Sequence, residues 1–222
     1  MDRDLNLIRA MRKLRPMSPT AIKGEQPINW LEIFALLAIQ LGFSYLVVDQ
    51  IGLFFGNKSH TTSFMDLSSI EIVSAILLAP FIEEVCFRSF LSGKAKHAWG
   101  LPLMLFVATL AFKHLGIIFL LFAFLIIVTV TVLLTKKRTQ VFLLRKHYNK
   151  TFFFTCVIFA LCHLGVIDDN VNPVAGFFLI LMAFIPISLI FGYIRIKYGL
   201  MYSIITHSLN NIAVLSLNLL IY

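Results

Sequence analysis

Seven apolar runs occupy most of the sequence after residue 29, and five of them have the length of a membrane-spanning helix. A helix needs about 20 residues to cross hydrocarbon about 30 Å thick, and it satisfies its own backbone groups there. We predict spans at residues 30–49, 68–91, 98–112, 115–134, 151–166, 174–194 and 200–221. The sequence therefore predicts an all-α fold, a polytopic transmembrane helix bundle of about seven spans.

Composition supports the same fold class and excludes others. Hydrophobic residues make up 59% of the chain and charged residues 14%, whereas soluble domains are about 45–50% apolar and about 25% charged. These values argue against an ordinary cytosolic enzyme, a secreted disulfide scaffold and a disordered regulator. We therefore expect a multi-pass protein of the cell membrane, that is, the inner or plasma membrane.

The distribution of basic residues predicts the orientation of the spans. With the N-terminus inside, the cytoplasmic segments 1–29, 92–97, 135–150 and 195–199 contain 16 of the 19 lysines and arginines. Cytoplasmic loops of membrane proteins carry such an excess. The net charge of +8 is thus mainly a topology signal, and we expect no nucleic-acid partner.

The sequence leaves the structure of two segments undecided. Residues 1–27 have apolar side chains at helical spacing between basic ones, which fits either an amphipathic helix on an anionic leaflet or a solvated tail. Residues 98–134 form either a hairpin with a turn at Lys113-His114 or one long bent helix. We divide the chain into a cytoplasmic basic segment, 1–29, and a transmembrane domain, 30–222.

Ionisable side chains within the second span are the first candidates for function, because charges in hydrocarbon are costly. Glu84 and Arg88 lie four residues apart and can pair on one helix face. Glu83 points about 100° away, which leaves its carboxylate available as a base. The alternative is a structural ion pair beside a partly hydrated glutamate.

Two later spans carry further polar residues. Phe159 and His163 share one helix face in the fifth span, and His207 and Asn211 share one in the seventh. Each group alone also fits a purely structural role, as a satisfied histidine or as polar contacts between helices. Counted from the span ends, however, Glu83, His163 and His207 all fall near the middle of the bilayer, so we expect them to meet.

A glutamate, two histidines and an asparagine in an apolar cavity suit hydrolysis. Glu83 can act as general base for a water that His163 orients. The side chains of His207 and Asn211 can donate hydrogen bonds to a developing oxyanion. The same residues could instead hold a divalent metal such as zinc, but the sequence contains neither HExxH nor GxSxG.

The segments EEVCFR, FALCH and HSLNN match, in order, the motifs EExxxR, FxxxH and HxxxN. The chain thereby resembles the CPBP family, which includes proteins similar to CAAX prenyl endopeptidases and the Abi proteins. The resemblance covers about residues 80–211. It implies a multi-helix intramembrane endopeptidase with a glutamate-dependent mechanism that needs no metal or other cofactor. It implies that Glu83 and His163 activate the water, that His207 and Asn211 form the oxyanion site, and that Phe159 packs beside the site. Glu84 and Arg88 are also motif positions, and helix geometry gives them a supporting and orienting role.

We therefore predict a peptidase that acts on a membrane-associated protein or peptide within the lipid bilayer. Whether that substrate is prenylated or carries a leader is left open by the sequence. One alternative is a non-catalytic bacteriocin-immunity or assembly protein, to which the breadth of the family also points. Another is a proton-coupled transporter, because intramembrane Glu, Arg and His residues also line such paths.

Overall fold

The computed structural model describes residues 27–54, 68–92, 99–111, 117–136, 147–166 and 171–221. The first helix, α1, is Trp30–Phe43, continued by the π-helical turn Ser44–Val48 into Asp49–Phe54. The second, α2, is Ser69–Val73, the π-helical turn Ser74–Leu78, Ala79–Arg88 and a final 3₁₀ turn, Ser89–Ser92. The remaining helices are α3 (Gly100–Ala111), α4 (Ile117–Thr135), α5 (Tyr148–Leu161), α6 (Pro173–Tyr198) and α7 (Leu200–Ile221).

The all-α fold predicted from the sequence is confirmed in the described part of the chain, where each predicted span contains one helix. Three helical stretches there are long and apolar enough to cross a membrane: Trp30–Gly52, Pro173–Tyr198 and Leu200–Leu217. The apolar helical stretches Gly100–Thr109, Ala123–Thr135 and Tyr148–Leu161 are shorter. The proposed amphipathic helix near the N-terminus and the Lys113-His114 turn lie outside the described residues.

The region 98–134 contains two helices rather than one. The helices α3 and α4 are separate and pack against each other, which is the arrangement expected of a hairpin. Leu134 at the end of α4 is buried in the same apolar core as Leu101 and Met104 near the start of α3. The bent-helix alternative is therefore not the one that the structure adopts.

The packing of α2, α5, α6 and α7 determines where the polar side chains meet. Phe87, Phe152, Phe159 and Phe191 from α2, α5 and α6 are almost fully buried in one apolar core. Between α6 and α7 there is a single residue, Gly199, with φ of 110°, a conformation that favours glycine. This tight turn joins the two long helices directly, although the sequence had suggested a loop at 195–199.

A cluster of polar side chains connects α1 to the end of α6. The Glu32 carboxylate accepts hydrogen bonds from Tyr193 at 2.5 Å and from Tyr198 at 2.6 Å. Lys197 donates to both oxygens of Glu32, at 2.7 and 2.6 Å. No motif or spacing in the sequence indicated this cluster. It fixes the first helix against the helices that carry the candidate site.

We expect Glu32→Gln to lower the stability of the protein without affecting the candidate site. The substitution removes the negative charge opposite Lys197 and weakens charge-assisted hydrogen bonds, so a loss of about 1–2 kcal/mol is expected. Thermal unfolding in detergent measures it. Lys150→Gln at an exposed position is the control, and equal melting temperatures for the two variants would contradict the prediction.

Candidate active site

Two adjacent glutamates of α2 have different environments. The side chain of Glu84 is fully buried, whereas that of Glu83 retains 24% of its surface exposed. Successive helical residues point about 100° apart, so Glu84 faces the protein core and Glu83 faces a different side of the helix. The predicted division between a paired and an available carboxylate is therefore what the structure has.

Glu84 is the centre of a buried hydrogen-bond network. Its Oε1 accepts a hydrogen bond from Arg88 Nη1 at 2.5 Å, as the four-residue spacing predicts. The same oxygen lies 3.0 Å from Nδ1 of His207 on α7. Its Oε2 accepts a hydrogen bond from the hydroxyl of Ser203, also on α7. Buried charges need partners of this kind, and these bonds join α2 to α7.

The guanidinium of Arg88 is enclosed by α5 and α6. Its Nη2 donates to Ser188 Oγ at 3.0 Å. Its central carbon lies 4.5 Å from the centre of the Phe159 ring and 5.3 Å from that of Phe191. Aromatic faces attract cations at these distances. Phe159, the first residue of the second motif, therefore contacts the arginine of the first motif.

The free carboxylate of Glu83 faces both histidines. Its Oε2 lies 4.0 Å from Nε2 of His163 and 3.7 Å from Nε2 of His207. That oxygen is buried and has no hydrogen-bond partner among the described residues. The two gaps are longer than a direct hydrogen bond, and one water can bridge polar atoms at such a separation.

The other ring nitrogen of each histidine determines its tautomer. His163 Nδ1 lies 2.8 Å from the backbone oxygen of Phe159, an acceptor that requires a proton on Nδ1. His207 Nδ1 faces the Glu84 carboxylate, which requires the same. Neutral His163 therefore presents a lone pair at Nε2, and His207 presents an N–H at Nε2 only as an imidazolium.

Two phenylalanines of α6 hold the imidazole rings. Phe184 stacks on His163 with ring centres 4.1 Å apart and planes 23° apart. Phe191 stacks on His207 at 4.4 Å and 27°. These phenylalanines are seven residues apart, two helical turns, so they lie on one face of α6. This face also carries Ser188.

Asn211 is oriented by two hydrogen bonds. Its Nδ2 donates to the backbone oxygen of Ala75 at 2.8 Å, within the π-helical turn of α2. Its Oδ1 accepts a hydrogen bond from Asn210 Nδ2 at 3.4 Å. One hydrogen of the Asn211 amide is thus bonded to the Ala75 oxygen, and the second hydrogen is left for another acceptor.

The four predicted catalytic residues come from α2, α7 and the end of α5. The contacts of Glu83 with both histidines, the Glu84–Arg88 pair and the contact of Phe159 with His163 all match the sequence-based expectation. Within the described residues, no group of three or more His, Cys, Asp or Glu side chains is arranged to hold a metal ion.

The supporting residues of α6 were not identified from the sequence. Ser188 is the one serine in the 26 residues of α6, and its isolation in an apolar span was the available signal. Ser203 lies one turn before His207, and its partner is Glu84 rather than a substrate. The phenylalanines Phe184 and Phe191 could not be told apart from ordinary core residues.

Carboxylates and imidazoles can act as general acids and bases, and amide groups can stabilise an oxyanion, so their presence within an apolar helix bundle suits an intramembrane hydrolase. The model of the Rce1-like type II CAAX prenyl endopeptidase family matches residues 66–213. The chain therefore belongs to this membrane-embedded peptidase family, which confirms the resemblance inferred from its motifs. The match gives no support to the transporter or non-catalytic alternatives. Neither the curated proteins nor the solved structures gave a match.

Proposed function

We propose that this protein is an intramembrane endopeptidase that cleaves a membrane-associated substrate with a water activated by Glu83 and His163. One observation carries the proposal: the buried, unpartnered Oε2 of Glu83 faces the Nε2 atoms of two histidines at 4.0 and 3.7 Å. A carboxylate in this position can take a proton from a water held between it and neutral His163.

The proposed reaction proceeds through a tetrahedral intermediate. The water loses a proton to Glu83 as its oxygen forms a bond to the carbonyl carbon of the substrate, and the carbonyl oxygen becomes an oxyanion. The carbon–nitrogen bond then breaks, and the leaving amine takes the proton from Glu83. Because the proton returns to the leaving group, Glu83 is ionised again after each turnover.

His207 and Asn211 are the proposed donors to the oxyanion. His207 can donate from Nε2 only as an imidazolium, because its Nδ1 proton is bound to Glu84. Asn211 contributes the amide hydrogen that Ala75 does not use. Together with Arg88, a protonated His207 balances the two carboxylates.

The site implies a substrate that reaches the protein from the bilayer. Large apolar side chains such as Phe81 and Ile82, next to the glutamates, are exposed on the outer surface of α2, where they suit contact with lipid or an apolar substrate. We propose a multi-pass location in the cell membrane with the N-terminus inside, since 16 of 19 basic residues then face the cytoplasm.

Purified protein and a quenched prenylated CAAX peptide provide the direct test. We expect cleavage by the wild type, and strongly reduced cleavage by Glu83→Gln and by His163→Ala. A chelator such as EDTA should leave the wild-type rate unchanged, whereas loss of activity would favour the zinc-dependent mechanism. Equal turnover in the wild type and both variants would contradict the proposal.

Stacking on Phe184 should be needed for the rate rather than for substrate binding. In Phe184→Leu we expect kcat to fall about tenfold, because His163 loses the ring that fixes its plane. KM should change little. Phe184→Tyr preserves the ring and serves as the matched control with near wild-type kcat. If the leucine and tyrosine variants have the same kcat, stacking does not contribute.

A further inference from the structure

The π-helical turn of α2 deprives the Ala75 carbonyl of its two usual helical donors, the N–H groups of residues 79 and 80. The N–H of Ala79 donates to Ser74, five residues back, rather than to Ala75. The next residue, Pro80, has no N–H to offer. The carbonyl of Ala75 therefore receives no hydrogen bond from residue 79 or residue 80.

Asn211 supplies the missing donor from another helix. Its Nδ2 donates to the Ala75 oxygen at 2.8 Å, and both residues are only partly exposed. Since a backbone carbonyl without a donor is costly away from water, this bond stabilises the π-helical turn. It also fixes α7 against α2 two helical turns before Glu83.

We propose that Asn211 positions the glutamates of α2 by binding the Ala75 carbonyl that the π-helical turn and Pro80 leave open. A π-helical turn contains one more residue than an α-helical turn, and one residue corresponds to about 100° of rotation. The direction of Glu83 toward the histidines therefore depends on the turn being kept. This inference rests on the proposed role of Glu83 and adds a positioning contact to it.

The contact also aims the remaining amide hydrogen of Asn211. Nδ2 is bound by Ala75 and Oδ1 by Asn210, so the amide plane is fixed at both ends. The direction in which the second hydrogen on Nδ2 points is therefore fixed as well. The same carbonyl thus orients α2 and the proposed oxyanion donor relative to each other.

A double-variant comparison separates this role from a direct contact with substrate. Pro80→Ala restores an N–H at residue 80, which reaches the Ala75 carbonyl at the five-residue spacing of a π-helical turn. We expect Asn211→Leu to lower turnover of the prenylated peptide about 1000-fold in the wild-type background, because it removes both the positioning contact, which Pro80→Ala can replace, and the proposed oxyanion donor, which it cannot. In the Pro80→Ala background the loss should be at least tenfold smaller. Pro186→Ala, at the proline inside α6, is the matched control and should give no rescue.

Thermal unfolding provides a readout that does not require activity. Asn211→Leu should lower the melting temperature by about 5 °C in the wild-type background and by less than about 2 °C with Pro80→Ala. Equal losses of turnover and of melting temperature in both backgrounds would overturn the inference. Such a result would leave the proposed function intact, since that function is tested separately by Glu83→Gln and His163→Ala.

Discussion

Replacement of Glu83 by glutamine is expected to lower kcat by about 10⁴-fold while the protein remains folded. Glutamine has nearly the shape of glutamate but cannot accept the proton of the attacking water. The Oε2 atom of Glu83 has no hydrogen-bond partner among the described residues, so the substitution breaks no bond that holds the helices together. Cleavage of the prenylated peptide measures the loss.

Glu71→Gln is the matched control for this prediction. Glu71 is an exposed glutamate at the start of the same helix, where it forms a capping box with Ser68. Glutamine can also serve in a capping box, and this end of α2 lies far along the helix from the histidines. We expect near wild-type turnover from Glu71→Gln. Comparable turnover from Glu83→Gln would show that Glu83 is not the base.

Arg88→Leu is expected to have the largest effect on stability, a loss of about 3–5 kcal/mol. The substitution leaves the carboxylate of Glu84 fully buried without the guanidinium that lies 2.5 Å away. It also removes the partner of Ser188 and the cation between Phe159 and Phe191. A large fall in the melting temperature, measured in detergent, is the expected result.

The double variant Glu84→Gln/Arg88→Leu separates the buried charge from the lost packing. With the carboxylate neutralised, much of the stability should return, because replacing a buried ion pair costs less than breaking it. Activity should stay low, since His207 loses the carboxylate that binds its Nδ1 proton. A melting temperature as low as that of Arg88→Leu would mean that lost packing, rather than the loss of the guanidinium beside the buried carboxylate, dominates.

The sequence alone predicted the parts of the site that depend on one helix. The pairing of Glu84 with Arg88 follows from their spacing, and the different direction of Glu83, about 100° away, follows from helical geometry. The proximity of Glu83 to both histidines could be predicted because ionisable groups at one depth in an apolar bundle face its interior and pair with one another. The helix-rich fold follows from the apolar runs in the same way.

The particular hydrogen bonds between helices could not be predicted, because they depend on how each helix is rotated about its axis. The structure places His207 beside Glu84 as well as beside Glu83. Nothing in the sequence predicts the contact with Glu84. Proline does not predict the π-helical turn either. Pro80 follows such a turn, whereas Pro186 lies within a continuous α-helix. In α2, the side chain of Asn211 from another helix donates to the Ala75 carbonyl within that turn, a contact that the sequence does not reveal.

Comparative proteomics of membranes from cells that produce the wild type or Glu83→Gln tests the central claim most directly. Both proteins must be present at equal levels. If this chain is an endopeptidase that uses Glu83 as its base, at least one membrane-associated protein will be shortened in wild-type cells and will accumulate as an uncleaved precursor with Glu83→Gln. Identical termini for all membrane proteins in the two samples would contradict the account.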